Sequence, residues 1–470
     1  MVAAPEPAAR WRDLITPTLA PRAALVLLGI WLNAADGMVT ATVMPSVARD
    51  LGGWAYFGWA VAGYLLGSIL AGASAGQLSQ RLGLKPAMAA AALLYAVGCV
   101  LSAAGGDIVT FLIGRALQGV GSGWIVGFCY VAIGVVFPER LWAWIFGAGA
   151  GVWGVAALLG PLVGGLFAAA GAWRGAFWMF AAQGLAFAIA AVALLPPAVS
   201  DEAPARPLAW RTLAVLAFAI AVIAAADVAA GKLWPMGLVI AGLALLGFAG
   251  RVNAWPAERL LPSDAARPMS LAGAGYAMIF AMCAATAVFT VYEAAILQSA
   301  YGLTPLVAGY IIAVEALGWT LTAVLVSGQP ERRHGALILA GAGAIVAGVA
   351  VLAATIALGR LWPVIAGGAT VGAGFGLAWS LATRRILVAL PDEERAVGAS
   401  AIPTTQLIGG AVGAATAGAF ANLLGLAHAF TPARAAAAAP WLFAAFLPVA
   451  GLGWLAALRL TRARAVRDGP

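Results

Sequence analysis

The chain has 470 residues, of which 63% are hydrophobic and 9% charged, with a formal net charge of +8. An ordinary soluble domain carries about 25% charged residues, so a water-facing globule is excluded. The basic residues are scattered singly between apolar runs and never gather in one polar domain, so no nucleic-acid partner is expected.

The segment 1–22 is polar and rich in Pro and Ala. From residue 23 onward, runs of about twenty apolar residues recur, each long enough to cross ~30 Å of hydrocarbon as a helix. Their continuity in Ala, Leu, Gly and Val differs from the alternating segments of a β-barrel, which leaves helices. The first run contains Asn33 and Asp36 and no small-residue cleavage site, so it reads as a retained span, not a signal peptide. The predicted spans are 23–45, 56–78, 86–106, 109–136, 142–168, 174–196, 210–230, 234–252, 269–298, 304–327, 335–358, 361–383, 396–425 and 439–460. The expected fold class is an all-α polytopic membrane protein. Two six-helix bundles, 23–196 and 269–460, flank a linker, 197–268, that holds two additional spans, and short tails, 1–22 and 461–470, lie outside.

An even number of spans puts both termini on one side, and basic residues favour the cytoplasm. Arg81, Lys85, Arg140, Arg332, Arg333, Arg384, Arg385, Arg395 and the residues of both tails share a side, against Arg49, Arg174, Lys232, Arg360 and Arg434 opposite. Both termini are expected to be cytoplasmic. The halves also repeat. The loop Gly76–Gly83 is echoed by Gly328–Gly335, and Gly119, Gly121 and Gly123 by Gly372, Gly374 and Gly376, at an offset of about 252 residues, as paired-repeat transporters show.

Ionisable residues inside a span cost ~2.5–3.5 kcal/mol on insertion scales and are functional candidates by default. Asp36 shares a helical face with Asn33 and Thr40, and Arg115, at a similar depth, with Gln118, Gly119 and Ser122. The pair reads either as a static ion pair between helices or as a carboxylate that exchanges a proton during a cycle. Glu315 is central in its span, followed at helical spacing by Trp319 and Thr322. Glu293 and Asp227 fall near span ends, where water at the interface could reach them. Trp124, Phe128, Trp153, Trp319 and Trp379 lie within spans, where they either pack or stack on a ligand. Trp54, Trp59, Trp173, Trp178, Trp234, Trp362 and Trp441 sit at span ends as an aromatic belt. Gly147, Gly149, Gly151, Gly154, Gly160, Pro161, Gly164 and Gly165 make the fifth span a pivot that neighbours can approach closely.

Cys99, Cys129 and Cys283 are isolated in apolar runs, and His334 and His428 have no obvious partners. Neither a metal site nor a nucleophile and base pair is evident, so no cofactor and no enzymatic activity are expected.

Several of these residues form recognisable motifs. Gly154 through Gly160-Pro161-Leu162-Val163-Gly164-Gly165, followed by Trp173-Arg174, resembles the fifth-helix antiporter motif of the major facilitator superfamily. Arg115-Ala116-Leu117-Gln118-Gly119-Val120-Gly121 is similar to its fourth-helix motif, whose arginine is associated with proton coupling. The loop motif appears as Gly76-Gln77-Leu78-Ser79-Gln80-Arg81-Leu82-Gly83-Leu84-Lys85, with Gln80 in place of an acid and Leu84 in place of an arginine. Asp36 and Pro45 keep the first-helix spacing, with Met38 and Ala41 where the family has Thr and Asn. The chain thus resembles the fourteen-helix drug:proton antiporter branch of that superfamily.

The resemblance implies proton-coupled efflux of hydrophobic or cationic small molecules by alternating access. Proton coupling falls to Asp36, Arg115, Glu315 and Glu293, and substrate contact to Asn33, Gln118, Trp124, Phe128, Trp153, Trp319 and Trp379. Gating falls to Gly76, Arg81, Gly83, Lys85, Gly154, Gly160, Pro161, Gly164 and Gly165. Export of one metabolite, siderophore or lipid fits the same architecture, and a non-transporting sensor is a further alternative, although no polar segment is long enough to fold as a signalling domain. A bacterial inner-membrane monomer whose partners are lipid, protons and a small-molecule substrate is expected.

Overall fold

A computed structural model describes residues 13–196, 209–226, 233–255, 259–265, 267–326, 329–391, 394–427 and 430–462. Asp227, Lys232, Gly328, His428 and most of the two tails lie outside the described residues. The helices are α1 (Ala20–Leu51), α2 (Trp59–Leu82), α3 (Leu84–Ala104), α4 (Ile108–Val136), α5 (Glu139–Ala169), α6 (Trp173–Leu194), α7 (Trp210–Ala225), α8 (Leu233–Val252), α9 (Leu271–Ala300), α10 (Pro305–Val326), α11 (Glu331–Thr355), α12 (Leu361–Ala389), α13 (Arg395–Leu423), α14 (Pro432–Ala444) and α15 (Leu447–Arg462).

Each expected span coincides with a helix, and twelve helical segments are long and apolar enough to cross a membrane. Two details differ from expectation. The inserted helix α7 is shorter than its predicted span and falls outside those twelve, as does α13. The last span is broken into α14 and α15, because Pro448 has no N–H to donate to the carbonyl of Ala444. Loops are capped locally: Asp107 accepts from Thr110 N at the start of α4, Ser270 from Gly273 N at α9, and Thr431 from Arg434 N at α14. Gly52 (φ 68°) ends α1 and Gly83 (φ 83°) joins α2 to α3, conformations an L side chain resists.

Helices α1–α6 pack on one another, α2 and α3 against α4, α3 against α6 and α1 against α5. In the second half α10 and α11 pack against α12, and α13 and α15 against α9. The repeat read from the sequence recurs in the packing. Gly119 lies against the backbone of Tyr64 on α2, and Gly372 against the backbone of Glu315 on α10. Gly123 meets Ser68, and Gly376 meets Trp319. Gly98 of α3 meets Gly114 and Gln118, and Gly348 of α11 meets Gly367 and Val371. In lipid, where apolar side chains gain nothing by leaving one solvent for a similar one, such small-residue contacts hold helices together.

The inserted helices α7 and α8 pair with each other, and α7 lies on both α2 and α13. The chain leaving α8 is tied down. Asn253 accepts from Leu260 N and Leu261 N at 2.8 Å, while Glu394, just before α13, accepts from Ser263 N and Oγ at 3.0 Å and from Arg259 at 3.2 Å.

Candidate functional site

The end of the molecule where α1 meets α2 is here the distal end, and the one where α2 meets α3 the proximal end. Contacts between the two halves gather distally. Gln298 of α9 donates to Thr42 O, Asn422 of α13 donates to Ala55 O at 2.8 Å, Trp54 stacks on Phe430 with centroids 4.4 Å apart, and Phe57 lies 5.2 Å from Tyr292. The fifth-helix motif contributes to this seam. Gly160 and Gly164 receive Met38 and Thr42 of α1, Gly165 receives Leu306 of α10, and Pro161 packs on Gly309. At the proximal end of α12 and α13, Trp379, Thr383, Arg384, Leu387 and Arg395 line an open groove of about 530 Å³.

The first half carries a closed polar network. Asp36 is fully buried, with Oδ1 accepting from Arg115 at 2.6 Å and from Thr40 at 3.0 Å, and Oδ2 accepting from Tyr95 at 3.0 Å. Arg115, 2% exposed, also donates to Gln118 Oε1 at 2.5 Å and to Ala60 O at 3.3 Å, and lies over the Tyr64 ring at 4.4 Å. Tyr64 donates to Ser122 Oγ at 2.8 Å, and Asn33 donates to both. Two opposite charges with every carboxylate oxygen bonded satisfy the conditions for a stable buried pair.

The second half is built differently. Glu293, on α9, is fully buried, and neither carboxylate oxygen has a hydrogen-bond partner among the described residues. Its position near a span end had pointed to a wet interface; the close packing of α9 against neighbouring helices removes it from water instead. Glu315 is half-buried on α10 and interacts electrostatically with Glu293. One turn on, Trp319 stacks on Phe375 of α12 (4.9 Å, 8°) and tilts against Trp379 (5.5 Å, 51°). Phe375 completes this aromatic group. It had escaped notice because one phenylalanine in an apolar run carries no signal of its own.

The remaining expected residues disperse. Gln118 is buried beside Arg115, Phe128 is fully buried in the core, Trp124 is half-buried and donates to Ser74 Oγ at 2.8 Å, and Trp153 is 47% exposed on α5. Gly76, Arg81, Gly83 and Lys85 surround the proximal turn between α2 and α3, with Arg81 exposed, and Gly154 faces open space. Tyr95, which completes the Asp36 site, lies 59 residues from it in sequence. No spacing rule joins them.

Residues 26–211 match a family model described as Major Facilitator Superfamily. A protein of Mycobacterium tuberculosis named "Probable multidrug-efflux transporter" is 29% identical over 481 residues, 96% of each chain. A transporter of Aspergillus aculeatus, named for an acurin A biosynthesis cluster, is 30% identical over half of this chain and 44% of its own length. Among solved structures, a D-xylose-proton symporter aligns with a TM-score of 0.67 at 17% identity, covering 95% of this chain and 98% of its own. A bacterial homologue of the lysosomal transporter Spinster aligns at 0.66 and 14%, covering 96% and 99%.

Proposed function

We propose that this chain, which belongs to the major facilitator superfamily and is a multi-pass membrane transporter and not an enzyme, exports hydrophobic or cationic small molecules in exchange for protons. The observation that carries the reading is the presence of carboxyl groups inside both helical halves, beside a seam drawn together at one end. With both termini in the cytoplasm, the sealed distal end faces outward and the proximal groove faces the cell interior. Rocking of the halves about the α5 pivot would exchange that arrangement for its opposite, as alternating access requires. Asp36, Glu293 and Glu315 supply carboxyl groups for coupling, and Arg115 supplies a fixed cation beside Asp36. Trp319, Phe375 and Trp379 stand beside Glu315, where an aromatic cation gains both a stacking face and a counter-charge. Asn33 and Tyr64 offer hydrogen bonds from the opposite half. Arg81 and Lys85 act at the proximal gate. The added pair α7 and α8 accords with the fourteen-helix drug:proton antiporter branch, and the transporter acts as a monomer in the bacterial inner membrane.

The test uses purified protein in liposomes loaded with ethidium. An imposed pH gradient is expected to drive the dye against its concentration gradient, and a wild-type protein that moves no dye under any gradient would overturn the reading. The relative named for a biosynthesis cluster favours a second reading, export of one dedicated metabolite. A panel of ligands in thermal-shift measurements separates the two: many weak shifts accompany broad export, one large shift a dedicated cargo.

A further inference from the structure

The four ionisable groups assigned above to coupling are not equivalent. Asp36 has a donor on each oxygen and a guanidinium at 2.6 Å, so its charge is already matched. A proton placed on it would strand Arg115, 2% exposed, as an unbalanced buried cation. Glu293 presents the reverse case. It is fully buried, both oxygens lack a partner among the described residues, and an ionised carboxylate in that setting bears the full desolvation cost.

Of the helices packed on α9, α14 carries Arg434 at its distal start and α15 carries Arg459 and Arg462 near its proximal end. Glu315 of α10 and Tyr301 at the end of α9 are the ionisable groups that interact with Glu293. Between residues 335 and 355 of α11, 361 and 383 of α12, and 397 and 423 of α13, the sequence contains no ionisable side chain. On α1 the ionisable groups are Arg22 at its proximal start, which donates to Leu194 O, the paired Asp36, and Arg49 and Asp50 at its distal end, where Asp50 is bonded to Arg174.

Position along the helices gives the arrangement a direction. Glu293 follows directly on Tyr292, which meets Phe57 across the seam, and Gln298, which bonds Thr42 O, lies five residues, or about 7.5 Å, further out. Along α9, Glu293 thus stands within about two turns of the distal seal. Glu315, ten residues into α10 and half-buried, lies deeper and beside the aromatic group.

Resting on the export reading, we infer that Glu293 holds the coupled proton while the distal end is closed, that Glu315 receives it beside the Trp319, Phe375 and Trp379 group, and that the Asp36 and Arg115 pair is a fixed brace. The transfer breaks one carboxyl O–H bond at Glu293 and forms another at Glu315, directly or through water, and consumes nothing else.

Infrared spectra of the full chain in liposomes, without any cargo, test the first part. A protonated-carboxyl C=O band that shifts in D2O is expected in the wild type and in Asp36→Glu, and is expected to disappear in Glu293→Gln. Persistence of the band in Glu293→Gln overturns the assignment. With ethidium as probe, Glu293→Gln is expected to retain dye exchange at equal pH and to lose accumulation driven by a pH gradient, and Glu315→Gln to lose that accumulation as well. Undiminished gradient-driven accumulation in either variant likewise overturns it. A wild type with the band but no gradient-driven flux would overturn export while leaving Glu293 as a proton site, so the two failures are distinguishable.

Discussion

On α4, Arg115 stands one turn before Gly119, against which α2 packs at Tyr64; on α12, Gly368 stands one turn before Gly372, against which α10 packs at Glu315. The backbone arrangement is the same in both halves, and the chemistry placed on it is inverted. In the first half a cation on α4 faces a carboxylate on α1, and a tyrosine fills the position on α2. In the second half the cation's place is a glycine, and the tyrosine's place is a glutamate. Common packing can therefore host opposite electrostatic solutions, one compensated and one not, because glycine contacts fix the helix spacing without dictating the polar residues beside them.

Breaking the compensated half should have the largest effect. Arg115→Leu leaves Asp36 buried without its counter-ion and is expected to cost about 3–5 kcal/mol, read as a lowered unfolding temperature in detergent. Asp36→Leu combined with Arg115→Leu should recover much of that loss. A single Arg115→Leu as stable as the wild type would show that the pair is not a brace, and the contrast between halves would fall with it.

Next come the glycines. Ala at position 119 brings a Cβ onto the backbone of Tyr64, and Ala at position 372 does the same at Glu315. Each is expected to cost about 1–3 kcal/mol through overpacking. Similar losses at the two sites would sharpen the symmetry argument, and a loss confined to one half would confine the argument to it.

Trp319→Ala removes the stack on Phe375, worth about 0.5–1.5 kcal/mol. Ethidium binding should weaken by up to about tenfold, while Trp124→Ala in the other half, whose indole is already bonded to Ser74, should change it less. Equal losses would mean that the cargo does not favour the acidic half.

The smallest effects lie at the helix starts. Asp107 caps α4, and the backbone N–H and hydroxyl of Thr110 hold its carboxyl below the usual aspartate range. Its contribution is present above that range and declines as pH falls through the lowered value, so Asp107→Ala should lower the unfolding temperature near neutrality and converge with wild type in acid. At the equivalent start of α12 stands Arg360, which makes no cap. A cation opposes the helix dipole there, and Arg360→Asp is expected to stabilise by about 0.5–1 kcal/mol.

Hydropathy made the spans legible because crossing lipid requires long uninterrupted apolar helices, and twelve such segments stand where apolar runs stood. Spacing also identified the glycines of α4 and α12 as counterparts. What escaped the sequence were properties of faces and of helices far apart in the chain. Tyr95 and Tyr64 complete the Asp36 and Arg115 site from α3 and α2, and nothing in an apolar run tells which tyrosine turns inward. For Glu293 the sequence left water access open, because position along a helix says nothing of what packs around it, and the structure buries it fully. Trp153 resembled Trp319 in the sequence, yet one is exposed on α5 and the other joins two aromatic neighbours.

The tether formed by Glu394 on the chain leaving α8 bears on how the added helices travel. Anchored at the foot of α13 while α7 leans on α2 as well, the pair is tied to the second half and rests on the first. If the halves tilt as the proposed transport cycle requires, the α7 contact with α2 is the surface that would slide, and the two extra helices would behave as a rider that guides the stroke without joining it.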